Sequence, residues 1–172
     1  MVFSFQAPDY PAATAKEAQV NIAGLLHINI NCSNFERSKA FYELLGFREI
    51  MAVSPEGEGD EAAAVGMSRY RVRGALMKHP SRVIIDLLEW QEPRVESQPY
   101  ASLAHPGIAR VALISTCLDD DINTLEKAGV TLLSEQPAEV VGPRGSKVRF
   151  ICFRDPDGTV LELVEMEKRD GA

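Results

Sequence analysis

Histidine, basic charge, paired cysteines and long apolar runs are all scarce in this chain. Its 172 residues hold three histidines and three cysteines, and 18 Lys and Arg stand against 25 Asp and Glu, a formal net charge of −7. An acidic chain repels polyphosphate and anionic lipid, so neither nucleic acid nor a membrane surface is an expected partner. Cys32, Cys117 and Cys152 occur singly with no CxxC. That spacing gives no disulfide framework and suits the reducing cytoplasm. No apolar stretch approaches the ~20 residues of a membrane helix. The opening MVFSFQAPDYPAATAKEAQ has no basic start followed by an apolar run, and so does not read as a secretory signal. The remaining composition, 45% hydrophobic and 25% charged residues, is that of a globular protein with one good core or two small ones.

Along the chain, residues 1–21 carry neither helical nor strand period and read as an N-terminal extension. In Leu25–Asn31 the alternation predicts a strand with Leu26, Ile28 and Ile30 on one face and His27, Asn29 and Asn31 on the other. A helix follows. Ser33 with Glu36 has the capping-box spacing, and Gly46 stands where a helix end favours a left-handed residue. Arg48–Val53, Arg69–Met77 and Arg82–Trp90 are further strands, the last with an acid, Asp86, in its middle. Ser54–Ala64 (SPEGEGDEAAA) reads as an acidic loop. The proline-bearing stretch 92–107 is the natural linker. Beyond it come a strand over Ile108–Ser115, a helix over Asp119–Ala128 closed by Gly129, and strands over Thr131–Ser134 and Lys147–Arg154. The turn Asp155-Pro156-Asp157-Gly158 and a last strand over Thr159–Glu165, carrying Glu162, complete the order.

The two halves superimpose as sequences. One shift of 83 positions carries His27 onto Arg110, Ser33 onto Thr116 and Gly46 onto Gly129. At the ends, Asp86-Leu87-Leu88-Glu89-Trp90 matches Glu162-Leu163-Val164-Glu165-Met166. The expected class is α+β: two tandem βαβββ modules, 22–91 and 108–167 with a tail over 168–172, curving as a mixed sheet around a central cleft. His27 then corresponds to Arg110 and Asp86 to Glu162.

The paired module, the terminal phrase FRDPDGTVLELVE and the opening His-strand followed by FERSKAFYELLGF resemble the vicinal oxygen chelate superfamily. That group includes glyoxalase I, methylmalonyl-CoA epimerase, extradiol dioxygenases and the fosfomycin- and bleomycin-resistance proteins. The resemblance covers about Ile22 to Glu167 and implies a divalent metal held by the first and last strand of each module. Carried over by position, the metal-facing residues are His27, Asp86, Arg110 and Glu162.

Arg110 departs from that pattern, because a guanidinium has no lone pair to give and repels a cation. The donors left are His27, Asp86 and Glu162, an oxygen-rich set suited to Mg²⁺, Mn²⁺, Zn²⁺ or Ni²⁺ rather than to oxygen-activating iron. Two other readings stay open. Arg110 can serve as a substitute cation, pairing with the acids in place of a metal. It can also clamp a carboxylate or phosphate of an anionic substrate. Asn29 and Trp90 share the face of His27 and Asp86 and are candidate substrate contacts. His79 and His105 each lie in a turn or linker and read as solvated surface, and Glu89 falls on the opposite face, at a helix contact or outside.

The resemblance implies a glyoxalase-like lyase or isomerase acting on a small carbonyl or thioester compound, in which a metal stabilises an enolate and Glu162 is the base. The alternative is a metal-free, small-molecule-sequestering protein of the same fold. A homodimer is the expected assembly.

Overall fold

The computed structural model describes residues 22–95, 99, 102–141 and 146–166. The expected N-terminal extension and the tail lie outside them. The elements run β1 (Ile28–Cys32), α1 (Phe35–Leu44), β2 (Arg48–Ala52), β3 (Glu56–Glu58), α2 (Gly59–Ala64), β4 (Arg69–Lys78) and β5 (Ile84–Glu92), then β6 (Val111–Ile114), α3 (Leu118–Lys127), β7 (Ala138–Val141), β8 (Lys147–Arg154) and β9 (Val160–Met166). Each module builds its own mixed sheet, in the orders β1-β5-β4-β2 and β6-β9-β8-β7, with β3 added to β4. In each, the first strand pairs in parallel with the last and the other ladders are antiparallel. No ladder among the described residues joins the two sheets. None of the described helices is long and apolar enough to cross a membrane.

The alternation in β5 divides its side chains. Ile85 and Leu87 are buried, whereas Asp86, Leu88 and Trp90 are half-buried on the other face. In β1, Ile30 and Cys32 turn inward while Asn29 and Asn31 are exposed. The inward residues of both sheets join Phe35, Phe41 and Tyr42 of α1 and Leu118 and Leu125 of α3 in one hydrophobic cluster. Burying each such large side chain contributes about 1.5–3 kcal/mol.

The modules are also fastened by polar contacts between α1 and the β8–β9 turn. Tyr42 donates its hydroxyl to Asp155 Oδ2 at 3.0 Å, Ser38 to Asp157 Oδ2 at 2.9 Å, and Arg37 pairs with Asp157 Oδ1 at 2.7 Å. The turn itself is shaped by Asp155 Oδ1, which accepts from the backbone of Asp157 and Thr159 at 2.9 and 2.8 Å. Gly158 takes φ 93°, the left-handed conformation that glycine adopts freely.

Several expectations are corrected. Asn34, not Ser33, caps α1: its extended backbone lets the side chain accept from Arg37 N at 3.0 Å, while Ser33 Oγ is drawn away to Asp157. Thr116 does not cap α3 either, which starts from Cys117 with no side-chain cap bond. The acidic stretch Ser54–Ala64 is ordered as β3 and α2. Its alanines favour helix, Asp60 and Glu61 suit the positive end, and Ala62 is fully buried. Thr131–Ser134 contributes a single bridge, Leu132 to Phe153, and the strand forms instead at β7, after Pro137, where Val140 and Val141 supply β-branched side chains. Leu25 and Leu26 precede β1 and are 82% and 74% exposed, so β1 begins at Ile28. Gly46 and Gly129 do take left-handed φ, 90° and 75°.

Candidate functional site

The parallel ladder of β1 and β5 sets Asn29 opposite Asp86 and Asn31 opposite Leu88. Each asparagine reaches across it. Asn29 Nδ2 donates to the Asp86 carbonyl at 3.1 Å and lies 3.4 Å from Asp86 Oδ2. Asn31 Oδ1 accepts from the Trp90 indole Nε1 at 2.8 Å. The other carboxylate oxygen, Asp86 Oδ1, is buried without a hydrogen-bond partner. Burial pushes the Asp86 carboxyl above its ordinary value, and the charge of nearby His27 and the Asn29 bond pull the other way. A buried oxygen left unbonded is costly, on the order of 1–3 kcal/mol, so Asp86 Oδ1 calls for a partner that the fold itself does not supply.

Trp90 continues the strip. Its ring meets Tyr70 of β4 edge to face, with centroids 5.8 Å apart. The Tyr70 hydroxyl donates to Glu61 of α2 at 2.8 Å. Gly57 of β3 lies so close to this ring that a Cβ there would come within 2.5 Å of it.

On the second sheet, Glu162 is only 6% exposed. Arg110, one residue before β6, contacts its Oε2 through Nε at 3.1 Å. Cys152, directly across the β8–β9 ladder, approaches Oε1 at 3.9 Å. Burial, followed by the Glu162 charge, raises the Cys152 thiol. Of the sequence-derived quartet, Arg110 and Glu162 are in contact, while His27 acts on Asp86 through its charge and no contact joins the two sets among the described residues. Asn29 and, through Asn31, Trp90 belong with Asp86.

The remaining candidates have structural positions. His79 packs its ring on Phe47, centroids 5.3 Å apart, and accepts from Ser81 N through Nδ1 at 3.1 Å, so it is packed rather than simply solvated. Glu89 meets a helix, as one of its two expected positions, and receives Phe35 N at 2.9 Å. Tyr70 and Cys152 escaped the sequence reading. Equal counts outward from the Asp155–Gly158 turn read in the sequence pair Cys152 with Leu161. The turn instead closes between Asp155 and Thr159, which sets Cys152 across from Glu162. Nothing local distinguishes Tyr70.

Two βαβββ modules with acids at matched places on their last strands invite comparison with known proteins. Residues 24–163 match the model of the Glyoxalase/Bleomycin resistance protein/Dioxygenase superfamily. The chain belongs to that superfamily. A relative within reach by sequence is the uncharacterized protein YwkD of Bacillus subtilis, 28% identical over 141 residues, which are 81% of this chain and 94% of that protein. Among solved structures, a glyoxalase family protein from Bacillus cereus matches with a TM-score of 0.72 and 22% identity over 89% of this chain and all of that one. A fosfomycin resistance protein from Listeria monocytogenes, solved with Mn(II) and a sulfate ion, matches at 0.54 and 18% over 84% and 93%. At these identities the structural matches establish the fold of this superfamily member.

The superfamily implies a divalent metal, and the donors can be tested against it. Among the described residues no three His, Cys, Asp or Glu side chains converge as metal ligands. His27 and Asp86 offer two donors, and Glu162 is engaged by Arg110. Two donors fall short of the three or four that Zn²⁺ takes from a protein. Within one chain the described residues do not fit a resident Zn²⁺.

Proposed function

We propose that this protein is a glyoxalase-like lyase or isomerase that moves a proton on the carbon next to a carbonyl in a small, anionic carbonyl or thioester substrate. The observation that carries this reading is Asp86 Oδ1, buried and unbonded, on a carboxylate whose burial favours taking up a proton. Asp86 takes the proton from the substrate carbon, and the electron pair left behind moves onto the carbonyl oxygen as an enolate. His27, whose charge acts on Asp86, is assigned the donation of a hydrogen bond to that oxygen. Returning the proton to the same carbon from the opposite face completes an epimerisation. Where that carbon bears a hydroxyl, protonating the former carbonyl carbon while the hydroxyl proton passes to the enolate oxygen completes an isomerisation, the hydroxyl carbon becoming the new carbonyl. Loss of a leaving group from the next carbon, with its bonding pair, completes a lyase reaction. The base is thus assigned to Asp86 rather than Glu162, because Arg110 engages Glu162 while nothing engages Asp86 Oδ1. Arg110, 44% exposed, is the anchor for a carboxylate or phosphate of the substrate.

Two copies pairing through their open sheet faces would bring the two half-sites together. The apolar side chains of Ile114, Val140 and Met166 exposed on the second sheet support such a homodimer. Three free cysteines are consistent with a cytoplasmic setting.

The test is solvent-deuterium incorporation, followed by NMR, in 2-oxoaldehyde thiohemiacetals, acyl thioesters and 2-oxo acids. The expected result is exchange next to the carbonyl in one class, reduced roughly 10²–10⁴-fold in Asp86→Asn with an unchanged circular dichroism spectrum. Undiminished exchange in that variant would overturn the assignment. Tight binding of these compounds without exchange would favour the sequestering reading instead, for which the exposed Arg110 is the supporting feature.

A further inference from the structure

The Trp90–Tyr70 pair is built with more care than a packing contact needs. Four elements fix it: Asn31 of β1 holds the indole nitrogen, Tyr70 of β4 abuts the ring, Gly57 of β3 makes room for Tyr70, and Glu61 of α2 ties its hydroxyl. Both rings nevertheless remain partly exposed, although Val72 beside Trp90 on β4 and Ala62 of α2 are buried next to them. An aromatic pair meant only for the core would turn inward with Ile85 and Leu87, and Trp90 does not.

Its position relative to Asp86 sets a distance. Along β5 the open face carries Asp86, Leu88 and Trp90. Two residues of strand are ~7 Å and four are ~13 Å. Because the indole nitrogen is bound by Asn31, which lies opposite Leu88, the ring leans back towards the Asp86 end of that interval. A ligand whose reacting carbon rests on Asp86 therefore reaches the rings with a group several bonds away.

We infer that the substrate carries a planar aromatic group separated by a short spacer from its reacting carbonyl, and that Trp90 and Tyr70 receive it. Aromatic side chains prefer ring partners in offset or edge-on contact, with a gain beyond simple area burial. The inference rests on the reading of Asp86 as the reacting centre and narrows its substrate class. Trp90 and Tyr70 act as specificity-determining residues and leave the proton transfer to Asp86.

Trp90 is the only tryptophan in the chain, so its fluorescence reports directly on the site. The experiment compares 2-oxo-4-phenylbutanoate with 2-oxobutanoate, by calorimetry and by Trp90 emission, on the full-length protein. The aromatic acid should bind roughly tenfold or more tightly and shift the emission saturably. Trp90→Phe should keep the calorimetric preference, and Trp90→Leu and Tyr70→Leu should abolish it, so that each variant binds the two acids with equal affinity. Equal affinity for the two acids, with both bound, would overturn the aromatic site and leave the Asp86 reading standing. Binding of neither acid to natively folded protein would overturn both.

Discussion

Glu89 and Glu165 make the same contact in the two modules. Each reaches from the last strand of its sheet to the first backbone N–H of the module's helix, Phe35 N at 2.9 Å and Leu118 N at 3.0 Å. A helix start leaves its first donors unpaired and carries a partial positive charge, so a carboxylate is well suited there. The repeat seen as similar letters in the sequence is therefore also a repeat of hydrogen bonding.

Removing either acid should destabilise the fold. Glu89→Ala is expected to cost about 1.5–3 kcal/mol, the worth of a hydrogen bond to a charged group. Glu165→Ala should cost at least as much, since Glu165 Oε2 also receives Arg149 Nη1 at 3.1 Å. Urea denaturation followed by circular dichroism measures both. Losses under about 0.5 kcal/mol, the range of ordinary surface substitutions, would mean that water replaces these contacts.

Acid should loosen the joint between the modules through Asp157. Burial raises its carboxyl, but Ser33, Ser38 and Arg37 outweigh this and hold it below the ordinary 3.8. A carboxyl depressed in the folded state stabilises above its unfolded value, and that contribution is lost as pH falls through the folded one. Stability should therefore decline below about pH 4. Asp157→Asn should be less stable at neutral pH and show a shallower acid decline. Identical slopes for the two proteins would remove Asp157 from the account.

Asp86 predicts the acid limb of catalysis. As a base it must be ionised, so turnover should rise with pH through a value above the ordinary 3.8. The Asn29 bond lowers that value, so Asn29→Ala should move the limb to higher pH. The pH dependence of kcat/KM is the measurement. A limb unmoved in Asn29→Ala would argue that Asn29 does not act on the Asp86 carboxylate.

Chelation tests the donor set. With Arg110 on Glu162, the purified protein should hold no stoichiometric divalent ion, and EDTA should leave deuterium exchange unchanged. Elemental analysis reads the first and NMR the second. A full equivalent of metal released by His27→Ala would show that the half-sites combine around an ion after all, across two copies.

The order of strands and helices was legible in the sequence because it rests on local periods and local punctuation. Alternation over a few residues marked β1 and β6, a run of β-type residues marked β5, and glycines needing left-handed φ marked both helix ends at Gly46 and Gly129. A shift that matches both halves then defined the modules. The sequence also nominated His27, Asp86, Arg110 and Glu162, since equivalent positions follow from the repeat alone.

Which of the four residues meet is a different kind of fact. Asn29 bonds a residue 57 positions away and Asn31 one 59 positions away, through a parallel ladder whose register no local pattern states. The choice of Asn34 over Ser33 as cap likewise followed from Asp157, far along the chain, competing for the serine. Sequence thus determined the modules and nominated their matched polar positions. Only the tertiary structure decided that Arg110 engages Glu162, that one Asp86 oxygen is left unbonded, and that Trp90 stands with Tyr70, because partner choice depends on packing between segments distant in the chain.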